Sequence, residues 1–192
     1  MSYPLTSHCK KREIQRTIYP LVKEEVVYGL GGPFVDEWAS LFINVRKIFS
    51  YENNREIYNK QVEESIDPRI TLRFGTIYNA PIRKKGFYDM DLMCTPNTCQ
   101  DLIYKYKDVT SILYTFVNGR AKNRLEAFFE ASEEIVLDRY KIQNHSITGA
   151  ITECRIVTDK NRWFYKTYKD DCPMFILYKI PKEFYATNYA IY

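Results

Sequence analysis

Gly29-Leu30-Gly31-Gly32-Pro33 is the densest punctuation in the chain, and the fold turns on how it is read. Glycine accepts backbone conformations closed to other residues and proline fixes φ, so these five residues must redirect the chain. A phosphate-binding loop would need a lysine and a serine or threonine behind the glycines and a clear strand ahead of them. Neither is legible here, so the run reads as a turn or hinge.

Upstream of it, Ile14 and Ile18 stand at helical spacing and Pro20 follows, which predicts a short helix broken near Tyr19. Residues 1–32 are then an N-terminal helical segment and hinge. Downstream, Trp38, Leu41, Phe42, Val45, Ile48 and Phe49 recur on one face of a helix over 36–49, and a short polar helix is expected over 55–64. After the break at Asp67-Pro68, Ile70, Leu72 and Phe74 alternate with Arg69, Thr71 and Arg73, the period of a half-buried strand. A second alternating run, Tyr88, Met90, Leu92 and Cys94, is expected to pair with it as a hairpin.

Thr95-Pro96, with Thr98 and Asp101, supplies helix-start chemistry for a long helix whose inner face is Leu102, Ile103, Tyr106, Val109, Leu113 and Phe116. Asn118-Gly119 closes it, and a third helix is expected over 120–140. Three β-rich stretches, 146–157, 162–168 and 174–180, then read as a meander, and residues 181–192 as a C-terminal arm. The expected fold class is α+β: three main helices packed on an antiparallel sheet with a C-terminal β-meander, all in one domain over 1–192.

A length of 192 residues, with 45% hydrophobic and 27% charged side chains, describes a chain that buries a core. No apolar run is long enough to cross a bilayer and the N-terminus lacks the apolar stretch of a signal peptide, so an intracellular protein is expected. Five scattered cysteines do not make a disulfide framework. The 17 tyrosines and 11 phenylalanines suit protein contact surfaces, although codon usage rich in A and T yields the same bias.

His8 and His145 stand in no spacing that makes a zinc site or a catalytic triad, and the cysteines complete no tetrahedral set. Asp89 and Asp91 share one face of a strand and could hold Mg²⁺ or Mn²⁺ for phosphoryl transfer, with Lys84 or Lys85 supporting the transition-state charge. The competing reading leaves Tyr88, Met90 and Leu92 in the core and both aspartates solvated. Arg83, Lys84 and Lys85, with tyrosines nearby, could also meet phosphates and bases, which keeps nucleic acid among the candidate partners.

Asp67-Pro68-Arg69-Ile70-Thr71-Leu72, then Ile77-Tyr78-Asn79-Ala80-Pro81, then the second strand and a helix, together resemble the core of tail-completion proteins of contractile-tailed bacteriophages, the tail terminators and sheath stabilisers, over residues 67–116. The resemblance implies a ring-forming, non-enzymatic assembly subunit without a cofactor, partnered by tube, sheath or neck proteins, in the host cytoplasm and the assembled virion. Its contacts would be Arg69, Tyr78, Asn79, Arg83, Lys84 and Lys85, with Tyr185, Tyr189 and Tyr192 on the arm. Two alternatives stand beside it: a metal-dependent nuclease or nucleotidyltransferase centred on Asp89 and Asp91, and a small viral inhibitor of a host protein.

Overall fold

The computed structural model describes residues 9–83, 85–118, 124–144, 151–169, 173–180 and 182. Helix α1 (Cys9–Ile18) and a 3₁₀ turn (Tyr19–Leu21) lead into strand β1 (Val26–Gly29). The glycine run therefore does close a strand. A 3₁₀ turn (Gly32–Phe34) and helix α2 (Val35–Ser40) carry the chain to β2 (Lys47–Glu52). Helix α3 (Arg55–Glu64) follows, started by Asn54, whose side chain accepts from the amides of Glu56 and Ile57, and then β3 (Ile70–Phe74). The chain continues through β4 (Gly86–Asp91), α4 (Gln100–Lys105), β5 (Ser111–Val117), α5 (Arg124–Ala131), β6 (Val136–Asn144), β7 (Ile151–Thr158), β8 (Arg162–Lys169) and β9 (Pro173–Ile180).

Among the described residues nine strands form one sheet in the order β3-β2-β1-β4-β5-β9-β8-β7-β6. The first five are mutually parallel, β9 runs antiparallel beside β5, and β6 to β9 form an antiparallel meander. This corrects the expected α+β architecture: the sheet is mixed and its parallel half is wrapped on both sides. On one face α1, α2 and the turn after α2 bury Ile14, Ile18, Val35, Trp38 and Phe42 against Val27, Ile48 and Phe87. On the other, α4 and α5 bury Leu102, Ile103, Tyr106 and Phe128 against Tyr88, Met90 and Tyr114.

The corrections have one cause. Strands buried on both faces show no alternation, so they merge with adjacent helices into a single apolar pattern. Ser111–Phe116 of β5 is buried throughout, so Leu113 and Phe116 continue the apolar pattern of the expected long helix, which in the structure ends at Lys105. The expected helix 36–49 divides likewise: α2 ends at Ser40, and Ile48 and Phe49 lie on opposite faces of β2. The helix 120–140 gives way after Ala131, where Glu133 takes a left-handed φ of 54° before β6 begins. The expected hairpin does not exist, because β3 is an edge strand paired with β2, and two strands separate it from β4.

Candidate functional site at the carboxyl ends of the parallel strands

From β1 the chain winds outward through β2 to β3, then returns to place β4 and β5 on the other side of β1. The reversal falls between the carboxyl ends of β1 and β4, the place where open parallel sheets form the crevice that takes their ligands. The glycine turn stands at this point because α2 must lie hard against the strand. A Cβ on Gly29 would come within 2.6 Å of the Trp38 ring and 3.0 Å of the Asp89 Cβ, and one on Gly31 within 2.6 Å of Val35 Cγ2 and 3.0 Å of Ser50 Oγ. Gly32 takes φ +60°, and its carbonyl accepts from Gln61 Nε2 of α3 at 2.6 Å, which pins the turn.

The turn is not built for phosphate. Where a dinucleotide fingerprint would set its third glycine the chain has Phe34, and Asp36 and Glu37 occupy the first turn of α2. Asp36 is already engaged, accepting from Ser65 Oγ and the Ile66 amide at 2.9 Å each. What the crevice offers is carboxylate and hydroxyl oxygen. Glu52 ends β2; its Oε1 accepts from the Asn54 amide at 2.7 Å and its carbonyl from the Gly75 amide at 2.9 Å, which ties the tips of β2 and β3 together. At the ends of β4 and β5, Asp91 Oδ1, Thr115 Oγ1 and Asn118 Oδ1 are buried without a hydrogen-bond partner among the described residues.

Asp89 and Asp91 do share a face, as their spacing implies, but neither expected environment is present. Helix α1 covers them. Asp89 is 1% exposed, and its Oδ2 accepts from the Tyr19 hydroxyl and from Trp38 Nε1 at 2.7 Å, while Gln15 Nε2 donates to Tyr19 at 2.7 Å. Burial first, and the neighbouring Asp91 second, push the Asp89 carboxyl up to about 6. Asp91 is ion-paired with Lys11 of α1. Among the described residues no group of three histidine, cysteine or acidic side chains could hold a metal ion, so the metal-dependent nuclease reading is corrected along with that of solvated aspartates. On the loop leaving β4, a hydrogen bond from Cys99 holds the Cys94 thiol down to about 7.

The expected contact residues scatter. Arg69 faces inward, donating to the carbonyls of Ala39 at 3.1 Å and Phe42 at 2.7 Å and pairing with Asp67 at 2.6 Å, so it closes the end of α2. Tyr78, Asn79, Arg83 and Lys85 are exposed on the crossover between β3 and β4. Lys84, Tyr185, Tyr189 and Tyr192 lie outside the described residues. Sequence reasoning missed Gly29, Gly31 and Glu52 as site residues. The signal for them was Val26-Val27 ahead of the glycines and an acid about 20 residues beyond. No helix among the described residues is long and apolar enough to cross a membrane.

Sheet order, parallel strands and helices on both faces define a Rossmann-like α/β fold. Solved structures with this fold include TYW2 of M. jannaschii in complex with AdoMet, with 11% identity over 93% of this chain and 77% of that one and a TM-score of 0.54. The precorrin-6y C5,15-methyltransferase of Geobacter metallireducens shares 12% identity over 94% of each chain, with a TM-score of 0.53. The M. jannaschii tRNA m1G37 methyltransferase shares 14% identity over 94% of this chain and 51% of that one, with a TM-score of 0.54. No protein-family model matches the sequence, and no curated protein does. The fold overturns the resemblance to phage tail-completion proteins, whose supporting segments are a parallel edge strand and a crossover. The non-enzymatic assembly subunit, its virion location and the viral inhibitor fall with it.

Proposed function

We propose that this chain is a cytoplasmic methyltransferase that uses S-adenosylmethionine. The observation that carries the reading is the position of Glu52 at the tip of β2 beside a glycine turn that offers nothing to a phosphate. An acid at this place is suited to the hydroxyls of a ribose. With Asp36 and Glu37 in the first turn of α2, the crevice disfavours a dinucleotide pyrophosphate and accepts an adenosyl group attached to a cationic amino-acid tail. Asp91 Oδ1, buried and unpartnered among the described residues, is an acceptor for the ammonium of that tail. When bound, the cofactor supplies an electrophilic methyl group to a nucleophile on the substrate. The chain's own part is to hold the cofactor by these oxygens and to keep the sheet edge rigid beneath it.

Titration calorimetry with S-adenosylhomocysteine tests the reading. Wild-type protein is expected to bind, and Glu52→Gln to lose about tenfold or more in affinity, since a hydrogen bond to a charged acceptor is worth about 1.5–3 kcal/mol. Absence of binding at millimolar ligand, or tighter binding of a nicotinamide dinucleotide, would overturn it.

A further inference from the structure

Doubly wound sheets carry helices on both faces, yet among the described residues the crossover between β3 and β4 has only a 3₁₀ turn (Ile77–Asn79). Beneath this thin strap lies a cleft of about 400 Å³, lined by Tyr28, Phe49, Tyr51, Arg73, Asn79 and Arg83, among others. That volume is in the range of small-molecule sites. Two of its lining rings, Tyr28 and Phe49, stack 5.1 Å apart at an interplanar angle of 5°; Tyr28 is buried, and Phe49 and Phe74 are the rings left partly open to the cleft. Cations surround it. The Arg73 guanidinium is 5.9 Å from the Phe49 ring, Lys47 Nζ lies 5.0 Å from the same ring outside the lining, and Arg83 is an exposed lining residue. No carboxylate is among the lining residues, and among the described residues neither Arg73 nor Arg83 is ion-paired.

Aromatic faces flanked by guanidinium groups without counter-charge suit a planar base joined to a phosphate. We infer that the cleft under the β3–β4 crossover receives a base of a single-stranded nucleic acid, with Arg73 and Arg83 on the adjoining phosphates. The cleft lies at the ends of β1, β2 and β3, and Tyr51 and Gly75 bring its lining next to Glu52, while Arg73 and Arg83 are not among the oxygens proposed to hold the cofactor. That the strand is the methyl acceptor rests on the methyltransferase reading, whereas its binding does not. Single strands fit better than duplexes, because only an unpaired base presents a face to the Phe49 ring.

The test is fluorescence anisotropy with a fluorescein-labelled single-stranded oligoribonucleotide of about a dozen residues, set beside the same strand in a duplex and a mononucleotide. Wild-type protein should prefer the single strand. The double variant Arg73→Ala/Arg83→Ala should weaken binding tenfold or more and flatten the dependence of log K on log salt by about 1.4, the value for two phosphates on a single strand. Phe49→Leu, which keeps apolar bulk and loses the stacking face, should also weaken binding, at an unchanged salt slope. Wild-type affinity in the double variant, equal binding of the duplex, or a mononucleotide bound as tightly as the strand would each overturn the inference. So would a second copy of the chain that covers the cleft and excludes the strand. S-adenosylhomocysteine binding, measured on the same proteins, separates the two claims: it should survive the arginine substitutions. Its absence from wild-type protein that still binds RNA through the arginines would defeat the cofactor reading and leave the cleft standing.

Discussion

Asp89→Asn puts the buried network under α1 to a quantitative test. The carboxyl is 1% exposed, takes two hydrogen bonds on Oδ2 and has no partner on Oδ1. Its folded-state value of about 6 exceeds the ordinary 3.8, chiefly through burial. A group whose value rises on folding binds more protons in the folded state, so its stabilising contribution is present below the unfolded value and is lost as pH rises through the folded one. At 1.36 kcal/mol per pH unit, the gap amounts to about 3 kcal/mol, most of which disappears between about pH 4 and 7. Asparagine keeps an acceptor for Tyr19 and Trp38 and cannot ionise. Urea unfolding of both proteins from pH 4 to 7 should therefore show the variant gaining on wild type by about 2–3 kcal/mol across the window. A difference that is flat with pH, or that moves the other way, would refute the reasoning and mean that Asp89 is ionised at no cost where it lies.

Two further substitutions probe what holds the site. Gly29→Ala forces a Cβ to 2.6 Å from the ring of Trp38, which is 2% exposed and tethered to Asp89, so it cannot yield cheaply. A loss of about 1–3 kcal/mol is expected in urea unfolding, with weaker S-adenosylhomocysteine binding, and unaltered values for both would count against the tight seat of α2. Arg69→Ala frees the carbonyls of Ala39 and Phe42 and leaves Asp67 without its partner. It should cost about 3 kcal/mol, seen as a fall in Tm of about 6–12 °C; a change under a degree would mean that water replaces the guanidinium.

How legible each element was depended on whether its pattern was local. Helix α3 could be read because Asn54 caps it and its exposed face is polar, and β3 because an edge strand alternates. Strand β1 has only four residues, too few to display a period, so the glycines that follow it lost their context and looked like a hinge. Strand β5 is buried on both faces and carries no alternation. For Asp89 and Asp91 the spacing correctly implied a common face. Their neighbours, Lys11, Tyr19 and Trp38, come from 51 to 80 residues away. Glu52 carried no mark of its own beyond its distance from the glycines.

Composition and local spacing determined that this chain buries a core, that it turns at Gly29 to Pro33 and at Asp67-Pro68, and that its two aspartates share a face. The tertiary structure decided that β1 to β5 run parallel, that the glycine turn stands beside an acid at the carboxyl end of β2, and that α1 covers both aspartates and leaves Asp89 dry. Side-chain periodicity records only whether a residue is buried. The direction of a neighbouring strand, and the charge of a neighbour brought from far along the chain, leave no trace in it.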